Sequence, residues 1–141
     1  MICSACDFDA DATVYGQYTM IIPVSAQSLN EVGINNSRNN WKYKKARAAW
    51  EHRFSKYVGR IPKAYAHRNM FMTRFYRTRK RDYDYGNLVG GFKPGLDMLV
   101  KHGFLLGDQP KHCSEYYRQY PAPDGRDHVI VVLQDTQPRE M

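Results

Sequence analysis

Hydrophobic and polar positions alternate with enough regularity to predict six elements. Tyr18–Val24 (YTMIIPV) concentrates β-forming residues and includes Pro23, the pattern of a strand ending at a sheet border. The following SAQSLNEVGINNSRNN is crowded with Ser, Asn and Gly and predicts a long loop, a feature more often functional than idle in a small domain. Trp41–Tyr57 (WKYKKARAAWEHRFSKY) is the clearest helix: Tyr43, Ala46, Trp50, Phe54 and Tyr57 recur at helical spacing, and Asn39 or Asn40 supplies an N-cap. Lys42, Lys44, Lys45, Arg47, Arg53 and Lys56 cover its remaining surface. That surface is either a solvated helix face or one that lies along a phosphate backbone.

Asn69–Arg77 (NMFMTRFYR) predicts a second strand. A second helix runs from Leu88 or Phe92 to His102, with Leu96, Leu99 and Val100 inward, Pro94 in its first turn and Gly103 as its stop. Glu115–Tyr120 and His128–Leu133 predict two further strands, joined by a hairpin-like connection around Asp124-Gly125. The order β, α, β, α, β, β predicts an α/β or α+β fold, a single domain over residues 1–141 with a mixed sheet packed against two main helices. Residues 1–16 are expected to be a poorly ordered lead-in.

Composition adds the nature of the partner. In 141 residues, 43% hydrophobic and 25% charged content exclude a disordered chain. Lys and Arg number 21 against 14 Asp and Glu, giving a formal charge of +7. Such an excess favours polyanions: nucleic acid, or an anionic membrane surface. No apolar run is long enough to span a bilayer, and the acidic N-terminal stretch has no signal-peptide character. With three cysteines, an odd number, the expectation is reduced thiols and a cytoplasmic location. Cys3 and Cys6 have the spacing of half a zinc site that His112-Cys113 would have to complete; adjacent ligands chelate poorly, and free thiols are the better reading. The histidines show no nucleophile–base pattern. Tyr83, Tyr85, Tyr116, Tyr117 and Tyr120 serve either packing or stacking on exposed bases, packing being the preferred reading.

The candidate chemistry lies in Arg79–Asp108. Three cations at Arg79, Lys80 and Arg81 run directly into Asp82 and Asp84. In extended backbone residues two apart face the same side, so both carboxylates can converge. Two converging carboxylates repel, and Mg²⁺, a hard cation that prefers oxygen, removes the conflict. The alternative is simple pairing with the adjacent cations. A third acid, Asp108, follows an apolar run and a glycine, Asp97 is a further acid on the helix, and Lys93 opens that helix.

The segment RKRDYDYGNLVGGFKPGLDMLVKHGFLLGD resembles the RusA family of Holliday-junction resolvases of phage and prophage type. It supplies Asp82, Asp84, Asn87, Leu88, Lys93, Asp97, Leu99, Gly103, Phe104 and Asp108 in the family's order, and Tyr18–Asn30 resembles the first strand and loop more loosely. The resemblance implies a homodimeric, Mg²⁺-dependent endonuclease, with Mn²⁺ able to substitute, that nicks four-way or branched DNA in recombination and repair. It implies no organic cofactor. Asp82, Asp84 and Asp108 would be metal ligands, and Lys93 the catalytic lysine. Arg74, Arg77, Arg79, Lys80, Arg81, Asn87 and Lys101 would contact DNA. Two departures stand out. Tyr85 and Gly86 separate Asp84 from Asn87, so in an ungapped register Asp84 takes the first aspartate position and Gly86 replaces the second. Gly107 stands where the family often has a further aspartate. A degenerate acidic site would leave a branched-DNA-binding module that cleaves weakly or not at all.

Overall fold

One mixed four-stranded sheet organises the computed structural model, which describes residues 14–26, 40–77 and 82–139. The elements are β1 (Gly16–Ile22), α1 (Asn40–Phe54) with a 3₁₀ turn at Ser55–Tyr57, β2 (Arg68–Tyr76), α2 (Tyr85–Gly91), α3 (Lys93–Lys101), β3 (Cys113–Pro121) and β4 (His128–Asp135). The sheet order is β1-β4-β2-β3. β2 and β3 are parallel, from Arg68 opposite Cys113 to Tyr76 opposite Pro121. β4 lies antiparallel to both β1 and β2. This is the α+β class and mixed sheet that the element order predicts, with the principal helices α1 and α3 joined by the short α2.

A parallel pair cannot be closed by a tight turn and needs a crossover, which α2 and α3 provide. The predicted second helix is therefore two: the chain breaks at Phe92, and Pro94 starts α3 in its first turn. Gly103 ends the unit at φ +80, a left-handed backbone that favours glycine. The hairpin-like reading of the last connection is corrected. The Asp124-Gly125 turn is present, with Gly125 at φ +72, but it carries the chain across the end of β2 to its far side. Because β3 already occupies one edge of β2, β4 pairs on the other. Ala122 N donates to Tyr76 O at 2.7 Å and Arg77 N to Asp127 Oδ1 at 3.0 Å, which ties the connection to the strand end it passes.

Strand alternation sends Met20, Ile22, Met70, Met72, Tyr117, Val129, Val131 and Leu133 to one sheet face, under Trp50, Phe54, Phe92, Leu96 and Leu99. Each large apolar side chain so buried contributes roughly 1.5–3 kcal/mol before chain entropy is subtracted. The predicted stripe of α1 is inward at Trp50 and Phe54. α1 and α3 approach closely at Gly95, where a Cβ would come within 3.0 Å of the Trp50 indole.

One charge pair sits inside this layer. Arg68, fully buried, donates from Nε to Asp135 Oδ1 at 2.6 Å, from Nη1 to Phe104 O at 2.9 Å and from Nη2 to Pro62 O at 2.8 Å. Tyr18 donates its hydroxyl to the other Asp135 oxygen at 3.1 Å. Removing one partner of such a pair strands the other charge away from water. Asp135→Ala is therefore expected to lower unfolding free energy by about 3–5 kcal/mol in urea titrations. A loss below about 1 kcal/mol would show that water reaches Arg68.

Candidate acidic site at the start of the crossover

The segment leading into α2 carries Asp82 and Asp84 on either side of Tyr83, and β3 fixes its path. Gln119 accepts from Tyr83 N at 2.9 Å and donates Nε2 to Tyr83 O at 2.6 Å, gripping that peptide from both sides. Arg74 supports the clamp. Its Nη1 donates to Gln119 Oε1 at 2.8 Å, and its guanidinium lies 3.7 Å from the Tyr83 ring centroid and 4.6 Å from that of Tyr76. Arg74 is only 2% exposed. The expectation that it contacts DNA is corrected: stacking between two tyrosines on the core-facing side of β2 makes it a support for the acidic segment.

The aspartates have separate partners. Asp82 accepts a hydrogen bond from the Tyr76 hydroxyl, and that bond is the main reason the phenol's pKa is raised. Asp84, in extended backbone, caps α2. Its Oδ1 accepts from Asn87 N at 2.9 Å, and its Oδ2 from Asn87 Nδ2 at 2.8 Å. The backbone bond from Asn87, then the side-chain bond, hold the Asp84 carboxyl below the usual range. Asn87, expected at DNA, is thus turned to Asp84.

Across the crossover, Lys93 and Asp108 meet. Lys93 Nζ lies 3.0 Å from Asp108 Oδ2 and 3.3 Å from Asp97 Oδ1. Partial burial pulls the ammonium's pKa down, but the hydrogen bond it donates to Asp108 and the charge of Asp97 outweigh it, and the net shift is upward. The Lys93 hydrogen bond and charge lower Asp108 in turn. Asp97 is also the acceptor for the Tyr43 hydroxyl of α1, whose own pKa is raised, first by burial and then by that bond. Two carboxylates thus flank one partly exposed ammonium, and one of them also accepts the Tyr43 phenol.

Among the described residues, no three His, Cys, Asp or Glu side chains are gathered closely enough to hold a metal ion. The expected convergence of Asp82, Asp84 and Asp108 is replaced by three separate settings, at Tyr76, at the α2 cap and at Lys93. Mg²⁺ characteristically takes only one or two carboxylates and completes its shell with water and phosphate. The Asp97–Asp108 pair, all oxygen and already sharing one cation, has the donor chemistry for that mode.

The remaining predicted positions vary. Arg77 is exposed and pairs with Asp127 at 3.5 Å; Lys101 pairs with Glu51 of α1 at 2.8 Å. Arg79, Lys80, Arg81, Cys3 and Cys6 lie outside the described residues. A Cβ at Gly107 would lie 2.8 Å from His112 Cδ2, so the imidazole fills the space a further aspartate would need. At Gly86 it would meet only Asp84 Oδ1 at 3.5 Å, an ordinary contact. Cys113 is a free, buried thiol, pushed up to about 12 by burial and then by Glu115 and Asp108. Tyr117 stacks on Phe92 with centroids 5.4 Å apart, Tyr116 on Phe71 at 4.8 Å, while Tyr85 and Tyr120 are exposed. Packing thus takes up most of these rings. Sequence reasoning missed the Gln119 clamp, and Tyr43 was read only as part of the packing stripe; no local pattern marks contacts 36 and 54 residues apart. Among the described residues no helix is long and apolar enough to cross a membrane. No protein-family model matches this chain, and no curated protein does either.

The cap separates structural from chemical roles at Asp84. Asparagine caps as well as aspartate, so Asp84→Asn should leave the urea midpoint close to that of the wild type, whereas Asp84→Ala should lower it. Asp84 and Asp108 should also titrate below the ordinary aspartate range in carboxyl-detected NMR. For a depressed carboxyl, the stability it contributes is present above its unfolded pKa and lost as pH falls through the folded one.

Proposed function

We propose that this chain is a divalent-metal-dependent endonuclease that cuts phosphodiester bonds in branched DNA, four-way junctions in particular. The observation that carries the reading is the Lys93–Asp108 contact at 3.0 Å. The RusA-like motif requires a lysine and an aspartate fifteen positions apart in sequence to act at one point, and nothing in sequence spacing brings them together.

Lys93 stays protonated through the neutral range, so its role is a fixed positive charge toward the phosphate rather than a base. Asp108 and Asp97 would hold the metal beside Lys93, while Asp84 and Asp82 are kept apart from them by the α2 cap and the Tyr76 hydroxyl. Such a metal, when bound, supplies Lewis-acid polarisation of the phosphate and a water of lowered pKa. The Gln119–Arg74–Tyr83 clamp keeps the acidic segment from shifting, which matters because misplacement by about 1 Å can cost a hundredfold in rate. Arg77 and the Arg79–Arg81 run would take neighbouring phosphates, positioning the backbone without reading sequence. A two-fold dimer would offer one site to each of two opposed strands, matching the symmetry of the junction.

Gly86 and Gly107 favour a second reading, a junction-binding module with weak or no cleavage. Nicking of a labelled four-way junction decides between them. The nuclease reading expects paired nicks with Mg²⁺ or Mn²⁺, none with EDTA, and a loss of about 10²–10³ in rate for Asp108→Asn or Lys93→Met. Junction binding with intact strands at every Mg²⁺ concentration would select the module. In that event Gly86→Asp, which has room for its side chain, should bring nicking back.

A further inference from the structure

The acidic site leaves the most basic element of the chain unused. α1 buries Trp50 and Phe54, half-buries Tyr43 and pairs Glu51 with Lys101, which uses up its inner side and its one carboxylate. Its opposite side exposes Lys44, Lys45, Ala48, Ala49 and His52, and continues to Lys56 on the 3₁₀ turn. At 3.6 residues per turn these positions share one face, and none of them is acidic. Among the described residues no carboxylate pairs with Lys44, Lys45 or Lys56.

We propose that the outer face of α1 is a second nucleic-acid surface, a seat for the sugar–phosphate backbone of a duplex arm leading away from the acidic site. The inference rests on the DNA reading of that site and extends it. From Lys44 to Lys56 the rise is about 18 Å, roughly half a duplex turn. Ala48 and Ala49 form a low floor between the lysines, so a backbone approaches the helix closely enough for cations on both sides to reach phosphates. Tyr43, one position before Lys44, carries the strip's end to Asp97 and hence to Lys93. A membrane surface fits less well. An interfacial helix needs a broad apolar face on its free side, and the only large apolar residue here is Trp41.

The test is the salt dependence of duplex binding, read by anisotropy of a fluorescein-labelled duplex in EDTA. Lys44→Gln/Lys45→Gln/Lys56→Gln should reduce the slope of log K against log salt by about 2–3, near 0.9 per phosphate released. Its thermal stability should match the wild type, and its nicking rate at saturating junction should stay within about twofold. Arg126→Gln/Arg139→Gln, two exposed cations elsewhere, should change the slope by less than one. Lys45→Gln alone, with a slope change near one, serves if the triple variant unfolds. An unchanged slope in the triple variant, or an equal loss in the control, overturns the proposal and leaves the acidic-site reading standing. So does loss of binding to phosphatidylserine vesicles with duplex binding intact, which would make the face a membrane surface. No duplex binding by wild type at low salt removes both readings.

Discussion

The architecture turns on the buried pair of Arg68 and Asp135. Its guanidinium joins four pieces of chain that are distant in sequence: β4 through Asp135, Tyr18 of β1 through the same carboxylate, and the carbonyls of Pro62 and Phe104. Phe104 closes the turn after α3, and Asp108 lies four residues beyond it. The pair that ties β1, β4 and β2 together therefore also anchors the chain at Phe104, where the crossover returns toward Asp108. Each guanidinium nitrogen has a partner, which is the condition under which an ion pair is tolerated in an apolar layer.

Arg74, six residues along the same strand, does the corresponding work at the other end. Stacked between Tyr76 and Tyr83 and bonded to Gln119, it fixes the peptide between Asp82 and Asp84. Two inward arginines on one face of β2 thus position the two acid-bearing segments of the crossover. A basic strand read from sequence as a phosphate contact supplies, in part, the internal cations of a positively charged protein.

Much of the fold was legible because it depends on local signals. Alternation in HVIVVL, the aromatic stripe of α1, Pro94 at a helix start and Gly103 at a left-handed stop each carry their own physics. Strand order was not legible. The Asp124-Gly125 turn has hairpin chemistry, yet β4 pairs with β2 because β3 already lies parallel along the other side, a choice made by the whole sheet. At the site, the order of Asp84, Lys93 and Asp108 was readable, but their partners were not. Asp84 is drawn to Asn87 by the unsatisfied amides of α2, and Lys93 gathers Asp97 as well as Asp108 because residues four apart on a helix are neighbours. Tyr43 reaches Asp97 only because Gly95 lets α1 approach α3.

We propose that Asp108 and Asp97 share a divalent cation at the point where Lys93 now supplies the positive charge. Lysine and a divalent ion then compete for the same oxygens, and removing the lysine must favour the ion. Isothermal titration of Mn²⁺ into Lys93→Met, the wild type and Asp108→Asn tests this without reference to cleavage. Saturable binding is expected in the wild type, tighter binding in Lys93→Met and its loss in Asp108→Asn. Binding that is absent from the wild type and from Lys93→Met, or that survives Asp108→Asn unchanged, would contradict the proposal.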